Sequence, residues 1–204
     1  MPNWCNNFIT IGGEKEKMKP IYDFFKENEN STDPDCLVMN SLVPHDEEYD
    51  AIKESGEYLL NPQVNFYGTK WDFSIMEANI HSINEDCITL APSTAWSPPS
   101  EFCRRLSGKY GICVDISYDE PGVGFVGEEE YSDGELFAQT HYDNYLEGMY
   151  KLQPDTFWET AYDNIEYYKN EEELSFESVR ERLLSFVTDE DDVKELETIY
   201  NEIK

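Results

Sequence analysis

Basic residues are scarce in this sequence: 15 Lys and Arg stand against 44 Asp and Glu in 204 residues, a formal net charge of −29. A chain with no surplus of cations cannot release counterions from a nucleic acid, and its field repels anionic membranes. No run of about 18 apolar residues occurs, so no membrane-spanning helix is expected. The chain begins MPNW, without a basic flank and apolar run, so no signal peptide is expected either. Cys5, Cys36, Cys87, Cys103 and Cys113 form an odd set with no CxxC pair. That points to reduced, mostly buried thiols in the cytosol rather than to a disulfide framework.

Other absences narrow the chemistry. His45, His81 and His141 lie far apart, with no HxxxH or CxxC spacing, so no metal and no cofactor is expected. There is no GxxxxGK[ST]. The glycines of GVGFVG at 122–127 precede a strand and three glutamates, which would repel phosphate, and they read as turn and bulge positions. A nucleophile made from Cys5, Cys103 or Cys113 and a histidine is one alternative. Scattered thiols of this kind are more commonly small buried side chains.

What is present suffices for a core: 39% hydrophobic and 14% aromatic residues. The chain is organised around residues 90–134. Ser97 reads as an N-cap with Pro98 at the first helical position, and Phe102, Leu106 and Tyr110 form a stripe at spacings of four. Ile112, Val114, Ile116 and Tyr118 then alternate with polar residues, the period of a half-buried strand. Upstream, residues 3–11 read as a strand with Cys5, Ile9 and Ile11 on one face. Residues 15–28 read as a helix with Met18, Ile21, Tyr22 and Phe25 on one side. Residues 29–62 show little regularity, and CLVMNSLV within them reads as a short strand or core-covering loop. FSIMEANIHSI and CITLAPSTAW read as a strand pair turning at residues 84–86.

Residues 124–143 read as a hairpin turning at Ser132-Asp133-Gly134. From Asn144 the pattern becomes helical. Phe157, Ala161 and Ile165 fall at spacings of four, and Ser175 caps a helix with stripe Phe176, Val179, Leu183 and Phe186. Thr188 with Asp191 reads as a capping box before the last helix. The order β-α-β-β-α-β predicts an α+β, ferredoxin-like antiparallel sheet with helices on one face, at 1–143. Residues 144–204 form an acidic helical extension of two or three helices.

Four motifs, PNWCNN at 2–7, YGTKWD at 67–72, TAWSPP at 94–99 and YDEPGVGFVGEEEY at 118–131, together resemble the YubB-like family of phage- and plasmid-borne proteins. The resemblance covers roughly residues 1–142. It implies a ferredoxin-like domain and an origin in a mobile element, and it transfers no catalytic residues.

Charge then singles out one region. Residues 115–204 carry 26 acidic and 6 basic residues, net −20, against net −9 for the rest. The acids at 171–173 and 189–192 sit at predicted helix starts, where the helix dipole favours them. Asp119, Glu120, Glu128, Glu129, Glu130, Asp133 and Glu135 instead crowd a hairpin, where neighbouring like charges weaken pairing. These seven are the candidate partner-binding residues. The expected function is non-enzymatic: an inhibitor of anti-CRISPR or anti-restriction type in the host bacterial cytoplasm. Its expected partner is a nucleic-acid-binding defence protein, whose basic surface would meet carboxylates placed as DNA phosphates are. Two alternatives remain: a module that locks or bridges a host complex through its C-terminal helices, and a small enzyme with a Cys or carboxylate site.

Overall fold

The computed structural model describes residues 3–57 and 61–203. It divides into two compact units, Met1–His141 and Tyr142–Lys204.

In the first unit the N-terminal strand is the centre of the sheet. β1 (Trp4–Gly12) alternates strictly, with Cys5, Asn7, Ile9 and Ile11 buried and Trp4, Asn6 and Phe8 exposed. α1 (Lys15–Asn28) follows, burying Met18, Ile21 and Phe25 at helical spacing. Three short helices come next, α2 (Val38–Leu42), α3 (Glu47–Ser55) and α4 (Pro62–Tyr67). A small hairpin, β2 (Ile80–Ile83) and β3 (Cys87–Leu90), is closed by the Asn84 amide donating to the Cys87 carbonyl at 2.9 Å. β4 (Ser93–Ala95) pairs with the start of β1. α5 (Ser100–Tyr110) buries Phe102, Cys103 and Leu106 and ends at Gly111, whose φ of 64° suits glycine. β5 (Cys113–Glu120), β6 (Phe125–Ser132) and β7 (Glu135–Tyr142) complete the sheet.

The strand order is β2-β3-β1-β5-β6-β7, and β1 pairs antiparallel with β3, β4 and β5. The set β2-β3-β1-β5, with α1 and α5 as its crossovers, is the ferredoxin-like arrangement that the element order predicts. β6 and β7 extend it as a meander. One core joins Ile9, Ile11, Ile88, Leu90, Val114 and Ile116 of the strands to Met18, Phe25, Phe66, Phe102 and Leu106 of the helices. Burying a side chain such as Phe102 contributes about 1.5–3 kcal/mol. The turn after β6 fits its sequence. Asp133 and Gly134 both have positive φ, 51° and 84°, as a two-residue type I′ turn requires.

Several expectations need correction. The segment read as irregular contains α2, α3 and the start of α4, and CLVMNSLV holds α2 rather than a strand; residues 58–60 lie outside the described residues. Local caps explain this: the Asp46 carboxylate accepts from the amides of Glu48 and Tyr49, and Gly56 closes α3 at φ 67°. Asn61 caps α4, Pro62 begins it, and Gly68 ends it. FSIMEAN is not strand either. Glu77 accepts from both the amide and hydroxyl of Ser74, folding a turn, and Asn79 at φ 44° breaks the extension before β2. Ser97 is not the cap of α5. Its hydroxyl donates to the Gly68 carbonyl at 2.6 Å, and Pro99 holds the cap position.

Among the described residues the second unit holds four helices: α6 (Tyr145–Leu152), α7 (Pro154–Asn170), α8 (Phe176–Leu183) and α9 (Glu190–Glu202). Phe157, Ala161 and Ile165 are buried along α7, and Ser175 accepts from the Ser178 amide as the cap of α8. Phe186 falls beyond the end of α8, and Leu184 and Val187 are the buried residues there. The cap of α9 is Asp189, not Thr188. Its carboxylate accepts from the amides of Asp191 and Asp192. No helix among the described residues is long and apolar enough to cross a membrane.

Candidate functional site

β5 and β6 pair in continuous register from Cys113↔Ser132 to Glu120↔Phe125. Because side chains alternate, the run Glu128-Glu129-Glu130 cannot act as one cluster. Glu128 and Glu130 are exposed, opposite Ser117 and Asp115. Asp115 also stands opposite Thr10 of β1. A shallow depression of about 240 Å³ lies here, lined by Phe8, Thr10, Asp115, Ser117, Glu128 and Glu130 among others. Directly opposed side chains sit about 5 Å apart, and Glu128 and Glu130 about 7 Å apart along the strand. Partial burial, then the charge of Glu130, holds the Asp115 carboxyl above its ordinary value.

Glu129 points the other way and is 5% exposed. It accepts from the hydroxyls of Tyr131 at 2.7 Å and Tyr118 at 3.2 Å, and from the Gln139 amide at 3.1 Å. Burial, followed by Glu129, pushes both phenols well above the usual tyrosine range. Gly127 serves this network, since a Cβ there would come within 2.5 Å of the Tyr118 ring. It is neither a turn nor a bulge residue. Glu120 is fully buried. One oxygen accepts from the Val123 amide, and the other has no partner among the described residues. Glu120 and Glu129 are therefore withdrawn from the exposed surface.

The remaining candidates are dispersed. Asp119 is half-buried and accepts from the Asn6 amide at 3.0 Å. Asp133 occupies the β6–β7 turn, and Glu135 begins β7; both are exposed. The exposed group that the structure assembles is thus Asp115, Glu128 and Glu130, with Asp119 at its margin. Asp115 was absent from the sequence candidates, although its alternation with Val114 and Ile116 already marked it as outward-facing.

Cations are missing from this region. From Tyr110 to Tyr150 the sequence has ten carboxylates and no Lys or Arg. Several of the first unit's cations are engaged elsewhere. Arg105 makes a two-pronged pair with Glu48 at 2.7 and 3.0 Å, Arg104 pairs with Glu101, and Lys109 donates to the Leu42 carbonyl. No cationic partner for Asp115, Glu128 or Glu130 occurs among the described residues. Nor do the described residues contain a His, Cys, Asp and Glu group arranged to hold a metal ion. Burial pushes the thiols of Cys5 and Cys103 well up, which disfavours the thiolate that a nucleophile needs.

The four sequence motifs meet in space. Asn7 donates to the Pro92 carbonyl and to the Thr94 hydroxyl, at 3.0 and 2.9 Å. The Trp96 amide donates to the Asn3 carbonyl, and the Thr69 hydroxyl to the Ala95 carbonyl, at 2.9 and 3.0 Å. Asn6 reaches Asp119. Pro2 of the opening motif lies outside the described residues.

Residues 66–156 match the family described as the ferredoxin-like domain in Api92-like protein. That range takes in β2 to β7 and the whole acidic region. Among solved structures, the crystal structure of a protein Api92 from Yersinia pseudotuberculosis is similar. It is 10% identical and covers 70% of this chain and 98% of its own, with a TM-score of 0.43. No curated protein matches the sequence.

Proposed function

We propose that this protein is a non-enzymatic inhibitor that binds a basic, nucleic-acid-binding defence protein of a bacterial host through its acidic sheet face. The observation that carries the reading is the row Asp115–Glu130 with Glu128, three outward carboxylates in a 41-residue stretch without a single Lys or Arg. Duplex DNA presents about one charge per 1.7 Å of axis. Carboxylates spaced about 5–7 Å on a rigid sheet offer a basic groove comparable acceptors. The motif resemblance to YubB-like proteins of phages and plasmids supports an origin in a mobile element, where such inhibitors serve.

Binding to CRISPR or restriction effectors, measured by calorimetry at rising salt, tests this. Binding should weaken steeply with salt, compete with the effector's nucleic acid, and fall at least tenfold in Asp115→Asn/Glu128→Gln/Glu130→Gln. Absence of binding, or salt-insensitive binding, removes the proposal.

A second reading rests on the helical unit. A depression of about 540 Å³ there is lined by Trp158, Glu159, Tyr162, Asp163 and Ile199, and Tyr162 is 41% exposed. Aromatics beside carboxylates suit a protein-binding surface. If Trp158→Ala/Tyr162→Ala abolishes binding and the sheet-face triple variant does not, the protein is a locking or bridging module instead.

A further inference from the structure

Three of the four tryptophans gather where the motifs meet, and the acidic face leaves them without a role. Trp4 is 50% and Trp71 43% exposed, with ring centroids 6.3 Å apart and planes inclined at 50°. The Lys70 ammonium lies 4.6 Å from the Trp71 ring and 4.4 Å from that of Trp96, so these indoles already hold one cation. Trp96 sits at φ 74°, a left-handed conformation that bulky side chains avoid. The bond from its amide to Asn3 and that from Thr94 Oγ1 to the Ser97 carbonyl hold it there. Backbone strain of this kind gathers at binding sites.

Beside Trp4 and Trp71 lies a depression of about 240 Å³, walled in part by Asp72, Glu77, Ser93 and Thr94 and by no Lys or Arg. Asp72 is fixed by accepting from the amides of Met39, Asn40 and Phe73 at 2.7–2.9 Å. Glu77 spends one oxygen on Ser74, and its other has no partner among the described residues.

We propose that the Trp4–Trp71 corner is a seat for an arginine side chain of the partner. Tryptophan is the strongest aromatic partner for a cation, and the weakly hydrated guanidinium stacks on its face while its N–H groups reach carboxylates. A net charge of −29 selects a cationic occupant over an anionic one. Buried Trp and Arg are also the residues that most often dominate protein interfaces. This rests on the reading that the partner is basic, and it adds where and through which side chain the partner is recognised.

The test uses the full chain with ¹⁵N-labelled indoles, titrated at 0.15 and 0.5 M NaCl with the peptides (Gly-Arg)₄, (Gly-Lys)₄ and decaproline. The arginine peptide should bind at least threefold tighter than the lysine peptide at 0.5 M NaCl and shift the Trp4 and Trp71 indole signals. Trp71→Ala and Trp4→Ala should erase that advantage and leave lysine-level binding, and Trp71→Phe, which keeps the packing, should retain part of it. Equal affinities in all variants, or unmoved indole signals during binding, overturn the arginine seat and leave the charge reading standing. Failure of both basic peptides to bind at 0.15 M overturns the charge reading and the seat together. Indole shifts with decaproline alone would assign the corner to proline-rich segments and overturn the arginine seat.

Discussion

Asp115 stands directly opposite Glu130 across the β5–β6 ladder, so the sheet holds a like-charged pair where pairing alone would favour opposite charges. Partial burial and Glu130 raise the Asp115 carboxyl above its ordinary value. A raised folded-state value means that ionised Asp115 opposes folding. The penalty is present at neutral pH and fades as pH falls through the carboxylate range. Glu130→Gln should therefore stabilise the protein by about 0.2–1 kcal/mol at pH 7 and by almost nothing near pH 3. Thermal melts across that range check the difference, and carboxyl NMR of Asp115 should show its titration move downward in the variant. The same variant should weaken partner binding, which separates function from stability.

The thiols should divide by exposure. Cys113 is exposed on β5, near the Ser132 hydroxyl, whereas Cys5 and Cys103 are buried with raised values. A disulfide reagent applied to the native protein should label Cys113 fastest, and Cys113→Ser should remove that phase. Cys5 and Cys103 should react only on unfolding. Rapid native labelling of Cys5 would revive a cysteine nucleophile.

In the helical unit, the Tyr150 hydroxyl donates to Asp192 at 2.5 Å. This bond, followed by burial, pushes the phenol up to about 12. A raised folded-state value makes the contribution fully present below pH 10 and lost as pH rises through about 12. Absorbance titration should show Tyr150 among several late tyrosines, Tyr118 and Tyr131 included, and Asp192→Asn should return one of them toward 10. Tyr150→Phe should cost about 1 kcal/mol.

The β6–β7 turn offers a backbone test. Asp133 at φ 51° occupies a region that Asn also tolerates and a β-branched residue does not. Asp133→Asn should leave the melting temperature within a degree or two, whereas Asp133→Val should cost about 1–2 kcal/mol. Equal melting temperatures would mean that the turn relaxes.

Much of this fold is written in local pattern. β1, α1, β5 and α7 each carry an apolar period long enough to identify, and Ser132-Asp133-Gly134 names its own turn. The helices between Val38 and Tyr67 escaped because each is shorter than three turns, and α3 buries no residue fully. Their signals are caps: Asp46, Asn61-Pro62, Gly56 and Gly68. Ser97 looked like a cap because hydroxyls favour that place, but a tertiary bond to Gly68 claimed it.

The acidic site was half legible. Alternation alone separates Glu129 from Glu128 and Glu130, but only the tyrosines that meet Glu129 show which face is the buried one. The grouping of Trp4, Trp71 and Trp96 depends on pairing between segments some 70–90 residues apart, which no local window contains.

The central place of β1 has a consequence for how the chain is made. The nine-residue strand β1 leaves the ribosome well before β3 and β5, the strands that flank it, which begin at Cys87 and Cys113. At about 5–20 residues per second the strand waits on the order of 5–20 s for its second neighbour. Closing such long loops first makes folding slow. Synonymous codons that slow translation before residue 120 should then prolong the interval in which nascent chains are open to proteases and chaperones.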